Sequence, residues 1–252
     1  MERSKPSEHF KSKSDLPFYL IMTVIGSVYI ILIVAMILAD IAFTSGSHLL
    51  AALKSEEIQY AIKLSLFSCT VTMILSVIVA TPLGYALAKF DFSGKKLLDA
   101  IIDIPIILPP LVIGLSLLIL FQTPPGRLLE EYIPITYAIP SIILAQFMVA
   151  CAFAVRTMAV AFSRINERQE QVALTLGSNK GQAFLYVILP QAKEGLLTAA
   201  SLSWARALGE FGPILIFSGA TRMKTEVLST TVFLEMSVGN VEAAVAVSML
   251  MI

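Results

Sequence analysis

Two opposite charges lie four residues apart inside an otherwise apolar stretch, "SLSWARALGEFGPILIF". Arg206 and Glu210 would each cost about 2.5–3.5 kcal/mol at the centre of a bilayer on insertion scales. Their spacing puts both on one face of a helix, where they can pair. Gly209, Gly212 and Pro213 loosen the helix, which membranes tolerate only against protein or a wet cavity. Two interpretations stay open and are compatible: an ion pair that stabilises a helix bundle, or a path or gate where Arg206 attracts an anion.

A second group of helix-breaking residues occurs in "DIPIILPPLVIGL". Pro105, Pro109 and Pro110 distort a helix, while Gly114 allows another helix to approach closely. Kinks at Pro109 and Gly114 would suit the lining of a gate. The alternative is that the prolines simply begin a helix, a position that favours them.

Neither enzymatic nor metal chemistry is indicated by the remaining residues. Cys69 and Cys151 occur singly in apolar runs, without metal-ligand spacing, and are expected to be small packing residues. The sequence contains no G-x-x-x-x-G-K-[ST] phosphate-binding loop. The 18 basic residues balance 18 acidic ones, so no global field attracts nucleic acid. We therefore expect no catalytic residues, no metal and no cofactor.

The elements that position these residues are helices that span a membrane. Of the 252 residues 57% are hydrophobic and 14% charged. Soluble domains have fewer apolar residues, about 45–50%, and more charged ones, about 25%. Four uncharged runs each reach the ~20 residues that a membrane-spanning helix needs. They are 16–39, 64–88, 104–126 and 132–155. Residues 195–217 predict a fifth span, and a sixth begins near Ala243. Because only ten residues follow, we expect the sixth helix to be truncated.

The distribution of Lys and Arg between the spans predicts the orientation. Twelve lie in segments on the side of the N-terminus and four on the opposite side, which places the N-terminus in the cytoplasm. We predict a cytoplasmic tail over residues 1–15, a first span with an external loop over 16–55, and the main transmembrane domain over 56–252. The fold class is an all-α polytopic membrane protein with about six transmembrane helices, located in the cell membrane.

One cytoplasmic segment, at about 165–189, is amphipathic and too polar to cross the bilayer. Its apolar residues recur at helical spacing on both sides of a break at "GSNKG". Gly177 at this break permits a tight turn, and Pro190 is expected to end the second of two short helices. The segment is either an amphipathic connector lying in the headgroups or a docking element whose apolar tip is formed by Leu174, Leu176 and Gly177.

The string "EQVALTLGSNKGQAFLYVILP" resembles the cytoplasmic signature of the permeases of ABC importers: EAA, three residues, Gly, nine residues, then Ile-x-Leu-Pro. Matching the pattern are Ala173, Gly177, Val187, Leu189 and Pro190. Gln171 and Val172 replace the Glu and the first Ala, and Glu170 lies one place early. The resemblance covers about Glu56 to the end and implies a core like that of type I ABC importers.

The resemblance implies a function and a set of partners. The chain would be a transport subunit, not an enzyme. It would act with a second copy of itself, two cytoplasmic ATP-binding subunits and an extracytoplasmic binding protein. The coupling residues would be Glu170, Gln171, Ala173, Leu174, Leu176, Gly177, Val187, Leu189 and Pro190. "ARALGEFG" is similar to the fifth span of permeases for tetrahedral oxyanions, and implies molybdate or tungstate as substrate.

Three alternatives remain on the sequence alone. Within the same family, the substrate could be sulfate or thiosulfate. A secondary transporter acting alone usually has ionisable residues at the midplane of several helices and internal repeats, and one Arg–Glu pair dominates here. A membrane scaffold that recruits a cytoplasmic partner would not need a polar interruption in the fifth span.

Overall fold

The structure is a computed structural model that describes residues 15–44 and 46–252. The predicted tail, residues 1–15, lies outside the described residues except for Asp15. The described residues form helices joined by short turns. In chain order these are α1 (Leu16–Phe43), α2 (Gly46–Lys54), α3 (Glu56–Lys89), α4 (Lys95–Ile107), α5 (Pro110–Gln122), α6 (Pro124–Tyr132), α7 (Ile139–Ser163), α8 (Glu167–Thr175), α9 (Lys180–Ala183), a π-helical turn (Phe184–Ile188), α10 (Leu189–Gln191), α11 (Lys193–Leu208), α12 (Gly212–Phe217), α13 (Leu228–Ser237) and α14 (Val241–Met251).

The chain divides into two units, residues 1–45 and 46–252. The first contains α1, a 28-residue helix without a charge before Asp40 and with no buried residue. Its length exceeds what a bilayer crossing requires. The second unit contains all the remaining helices, including α2, which forms within the predicted external loop over 46–54.

Three helices of the described chain are long and apolar enough to cross a membrane: α1, α3 and α7. A fourth crossing needs α4 and α5 together, and these are bent by 111° at the break between them. The uncharged run 104–126 is therefore not one straight helix. Pro109 lies at this break, and Pro110 begins α5 at a position where its missing N–H costs nothing. The fifth crossing is interrupted too, between α11 and α12.

The centre of the second unit is a bundle of α3, α7 and α11 packed through small residues. The buried side of α3 consists mainly of alanine, serine, threonine and cysteine, whereas Leu66, Phe67 and Ile74 on its other side are exposed. Small residues inside and large apolar residues outside are typical of helices surrounded by lipid. At Gly84 a Cβ atom would lie 2.7 Å from the Cβ of Met158, so glycine is required for α3 and α7 to approach this closely.

One buried glutamine connects the three helices of this bundle. Gln146 of α7 donates to Ala207 O of α11 at 3.1 Å and accepts from the Thr72 hydroxyl of α3 at 3.1 Å. The side chain of Gln146 is 1% exposed. Because hydrogen bonds between helices supply part of the cohesion that hydrophobic burial cannot supply in lipid, Gln146 fixes the end of α11 next to Arg206.

Candidate functional site

The cytoplasmic segment after α7 folds as two short helices with an exposed turn between them. Asn166 caps α8, accepting from Arg168 N at 3.0 Å. Asn179 and Gln182 form a reciprocal capping box that begins α9, with hydrogen bonds of 2.8 and 3.0 Å. Gly177 lies in the turn with φ of +93°, a left-handed conformation that glycine adopts without steric cost. The predicted break at "GSNKG" is thus observed at this place.

The second helical stretch ends at Gln191, one residue after Pro190, close to the end that the sequence predicted. The backbone passes from α9 through the π-helical turn into α10, and Ala192, with ψ of +4°, separates α10 from α11. Pro190 occupies the first turn of α10, where a missing N–H is tolerated. The sequence did not predict the π-helical turn that precedes Pro190.

Polar and aromatic contacts fasten this segment to the membrane helices. The Tyr85 hydroxyl of α3 donates to Glu170 Oε1 at 2.8 Å. One turn further along α3, Lys89 Nζ donates to Ile165 O at 2.7 Å. The Tyr85 ring also meets the rings of Phe162 and Phe184 edge-on, at centroid distances of 5.5 and 4.8 Å. The segment is therefore held on α3 and α7 and is not a loose connector.

The predicted coupling residues divide into an anchored and an exposed group. Ala173 is buried at 7% exposure, Glu170 is held by Tyr85, and Leu174, Val187 and Leu189 are half-buried. Facing solvent are Gln171, Leu176, Gly177 and Pro190. Leu176, at 82% exposure, is the apolar tip, whereas Leu174 is half-buried. An exposed leucine on a rigid turn is a surface that a second protein can contact.

The Arg206–Glu210 pair forms at the interruption of the fifth crossing. Arg206 Nη1 lies 2.6 Å from Glu210 Oε2, and the Arg206 guanidinium lies 5.9 Å from the centre of the Phe153 ring. The two ends differ in burial: Glu210 is 1% exposed and the Arg206 side chain 30%. The carboxylate thus lies inside the protein and the guanidinium at its edge, so Arg206 can meet an anion while Glu210 holds it.

The other predicted path residues have a packing role in this structure. A Cβ on Gly114 would lie 2.8 Å from Pro213 Cα, and a Cβ on Gly212 would lie 2.9 Å from Pro110 Cβ. These contacts join α5 to α12. Gly209 ends α11 and is exposed, as is Pro109 at the α4–α5 break. The structure therefore brings Arg206, Gly209 and Glu210 together at the break between α11 and α12. That Gly114 lines a translocation path stays a prediction.

Sequence reasoning missed a second cluster of charges. Arg156 of α7 donates from Nη1 to Asp99 Oδ1 at 2.5 Å and from Nε to Asp103 Oδ1 at 2.7 Å, joining α7 to α4. The signal was available, because Asp99 and Asp103 lie four residues apart in the apolar stretch of α4 that follows its two lysines. Arg156 also lines a cavity of about 780 Å³ with mixed polar and apolar walls between the end of α7 and the start of α11, where Arg164 is exposed.

Comparison with known proteins gives the family. Residues 80–252 match the family described as "Binding-protein-dependent transport system inner membrane component". The chain is 38% identical over 156 residues to the molybdate/tungstate transport system permease protein WtpB of Pyrococcus abyssi, covering 62% of this chain and 59% of that protein. It is 35% identical over 225 residues to the sulfate transport system permease protein CysW of Synechococcus elongatus, covering 86% and 78%. To the molybdenum transport system permease protein ModB of Azotobacter vinelandii it is 32% identical, covering 71% and 81%.

A solved structure agrees on the fold. A bacterial alginate ABC transporter, solved in complex with an alginate pentasaccharide-bound periplasmic protein, superposes with a TM-score of 0.71. The alignment has 16% identity and covers 94% of this chain and 88% of that one. The match to the Pyrococcus protein spans 59% of its length. The chain is an all-α protein of the inner membrane and belongs to the family of binding-protein-dependent transport system inner membrane components.

Proposed function

We propose that this chain is the permease subunit of an ATP-driven importer for molybdate or tungstate. The observation that carries the proposal is the exposed turn at Gly177, held by Tyr85 and Lys89 at the cytoplasmic ends of the bundle in a chain of this family. Such a turn suits contact with a separate ATP-binding subunit, since the sequence has no phosphate-binding loop of its own. On this proposal the chain is not itself an enzyme.

The proposal includes three kinds of partner. Two copies of this chain would enclose the path, because a single subunit leaves one side of it open to lipid. Two cytoplasmic ATP-binding subunits would contact the exposed residues Gln171, Leu176 and Gly177. An extracytoplasmic binding protein would deliver the oxyanion, as the family description and the complex of the alginate transporter suggest.

Molybdate and tungstate are favoured by the names of the relatives with the "Molybdate/tungstate" and "Molybdenum" transport labels. Sulfate is the second candidate, because the CysW relative covers a larger part of the chain, 86%. All three are tetrahedral dianions, which cross hydrocarbon only through a hydrated, protein-lined path. Arg206 is the cation that we assign to this path, and selection among the three anions falls to the binding protein.

Reconstitution tests the proposal directly. The chain is purified with its ATP-binding subunit and oxyanion-binding protein and placed in liposomes. Uptake of molybdate, tungstate and sulfate is then measured with and without ATP and vanadate. We expect uptake of molybdate or tungstate that requires both ATP and the binding protein and that vanadate abolishes. Preferential uptake of sulfate would select the second candidate.

Two other outcomes would reject the proposal. Uptake that continues without any ATP-binding subunit would identify a secondary transporter. Stable docking of the ATP-binding subunit without uptake of any oxyanion would identify a scaffold. Docking that survives deletion of residues 170–190 would contradict the role assigned to the cytoplasmic turn.

A further inference from the structure

Residues 219–239 form a hairpin that leaves the membrane bundle and then returns into it. Tyr137 N donates to Phe217 O at the extracytoplasmic end of α12, and the Tyr60 hydroxyl donates to Lys224 O at 3.2 Å. The chain then descends along α3 until Leu228 N donates to Ser65 Oγ at 2.8 Å. Ser65 is nine residues from the first residue of α3, about 13 Å along its axis. From this depth α13 runs back outward.

The inner end of this hairpin touches the interrupted fifth crossing. The Ser229 hydroxyl, in the first turn of α13, donates to Glu210 O at 2.7 Å. Glu210 is the carboxylate that holds Arg206. The hairpin therefore reaches from the extracytoplasmic surface down to the break in which we place the path.

Both ends of the hairpin have backbone conformations suited to hinges. Gly219 has φ of +67° and Gly239 has φ of +82°. A Cβ on Gly239 would meet nothing within 4 Å, so this position has room for backbone rotation. Between Gly219 and the inner end of the hairpin, Met223 is in the left-handed region with φ of +57°, which residues with a Cβ seldom adopt. Hinges are commonly a few such positions between elements.

One arginine fastens the hairpin to α3. Arg222 Nη2 lies 2.7 Å from Glu235 Oε1 in the last turn of α13, and Nη1 pairs with Glu57 in the first turn of α3. Hydrogen bonding to Glu235 raises the pKa of the Arg222 guanidinium above its ordinary value. Two carboxylates, Glu57 of α3 and Glu235 of α13, thus share one cation.

We propose that residues 219–239 form an extracytoplasmic gate segment and that Arg222 is the positioning residue that holds it closed against α3. The assignment of this segment as a gate rests on the proposed function, since only a transporter requires such a gate. Opening would swing the hairpin about Gly219 and Gly239 and lift the start of α13 away from Ser65 and Glu210. The passage above Arg206 would then be open to the side on which the binding protein delivers its anion.

Removal of the Arg222 charge would release this segment selectively. Without it, Glu57 and Glu235 face one another with no cation between them, and like charges at close range repel. The hydrogen bonds of Gln146 and the contacts of Gly84 would be unaffected, because they lie in the bundle of α3, α7 and α11.

Cysteine accessibility measures this opening without requiring substrate or the ATP-binding subunit. Val227 is 2% exposed and lies immediately before α13. We would place Val227→Cys in a chain with Cys69→Ala and Cys151→Ala, and label intact cells from outside with a membrane-impermeant maleimide. With Arg222 present we expect slow labelling. With Arg222→Gln we expect labelling to become about tenfold faster. This is the factor expected when one to two charged hydrogen bonds in a partly exposed site no longer stabilise the closed segment.

Two controls make the result specific. Lys224→Gln removes a neighbouring exposed charge for which the described structure shows no ion pair, and should leave the labelling rate of Val227→Cys unchanged. Native Cys69 is fully buried deeper on α3. In a chain with Cys151→Ala alone, it should stay unlabelled with or without Arg222→Gln.

Unchanged labelling of Val227→Cys in the Arg222→Gln variant would overturn the proposal. Labelling of Cys69 in that variant would overturn it too, because the arginine would then hold the whole bundle and not one segment. Either failure is distinct from failure of the proposed function. A chain that transports no oxyanion can still pass the labelling test, and a working importer can still fail it.

Discussion

The turn at Gly177 allows a graded test of coupling, because substitutions there differ in one property only. Its φ is +93°, and a Cβ at this position would meet nothing within 4 Å. Alanine therefore causes no clash with its surroundings. Its only cost is the left-handed backbone conformation, which destabilises the turn by about 1–2 kcal/mol. Asparagine tolerates this conformation better. Proline holds φ near −65° and would require a rotation of roughly 160° from the observed angle.

Proline would also remove hydrogen bonds that close the turn. Gly177 N donates to Leu174 O at 3.1 Å and Ser178 N donates to Ala173 O at 3.1 Å. Proline cannot make the first and would displace the second, a loss of about 0.5–1.5 kcal/mol each. The damage should remain local, since Tyr85 and Lys89 anchor the segment independently of the turn. We therefore expect normal membrane insertion in all three variants.

The assay compares binding of the ATP-binding subunit, ATP hydrolysis and oxyanion uptake for each variant in liposomes. Gly177→Asn should retain most of the uptake. Gly177→Ala should bind the ATP-binding subunit about 5- to 30-fold more weakly, the factor that corresponds to 1–2 kcal/mol. Gly177→Pro should abolish uptake while the protein stays folded. Full uptake by Gly177→Pro, or equal losses for Asn and Ala, would refute the reasoning that the left-handed turn is what the partner contacts.

Three further predictions concern the anchor, the ion pair and the bundle. Tyr85→Phe keeps the aromatic contacts and loses only the hydrogen bond to Glu170; we expect weaker coupling of ATP hydrolysis to uptake at a cost of about 1 kcal/mol, and an unchanged ratio of the two would contradict it. Arg206→Gln leaves the carboxylate of Glu210 buried without its cation, which should destabilise the protein by about 3–5 kcal/mol. The melting temperature of this variant in detergent should therefore fall further than that of Glu210→Gln. The double variant should recover stability but not uptake. Gly84→Val forces α3 from α7 and should destabilise by about 1–3 kcal/mol or more, whereas a melting temperature equal to that of the native chain would show that the helices do not meet so closely.

Much of the architecture could be predicted from the sequence because a membrane restricts the possibilities. Charge-free runs predicted the all-α membrane fold, which the structure and the family match confirm. Gly177 was identifiable because a glycine between two amphipathic stretches has few other uses. Its place in the family signature gave the same residue independently.

The interruptions of the helices were harder to predict. Pro190 predicts a helix end, and the helix does end at Gln191, but nothing local signals the π-helical turn that comes before it. The sequence 219–239 has charges and too few apolar residues for a span, so it reads as an external loop. Its return into the bundle depends on Leu228 finding Ser65 and on Arg222 finding Glu57, pairs separated by 163 and 165 residues. Contacts at that separation have no local pattern.

A short junction at Ala192 links the two halves of the candidate site. Ala192 lies outside both α10 and α11, with ψ of +4°. Hydrogen bonds nevertheless bridge it, because Ala192 N donates to Ile188 O at 3.1 Å and Leu196 N donates to Ala192 O at 2.8 Å. α11 begins directly after this junction and carries Arg206 in its last turn. The turn at Gly177 is therefore connected to the ion pair through two helical segments and one hydrogen-bonded junction, and this is the route by which we expect a shift of the turn to reach Arg206.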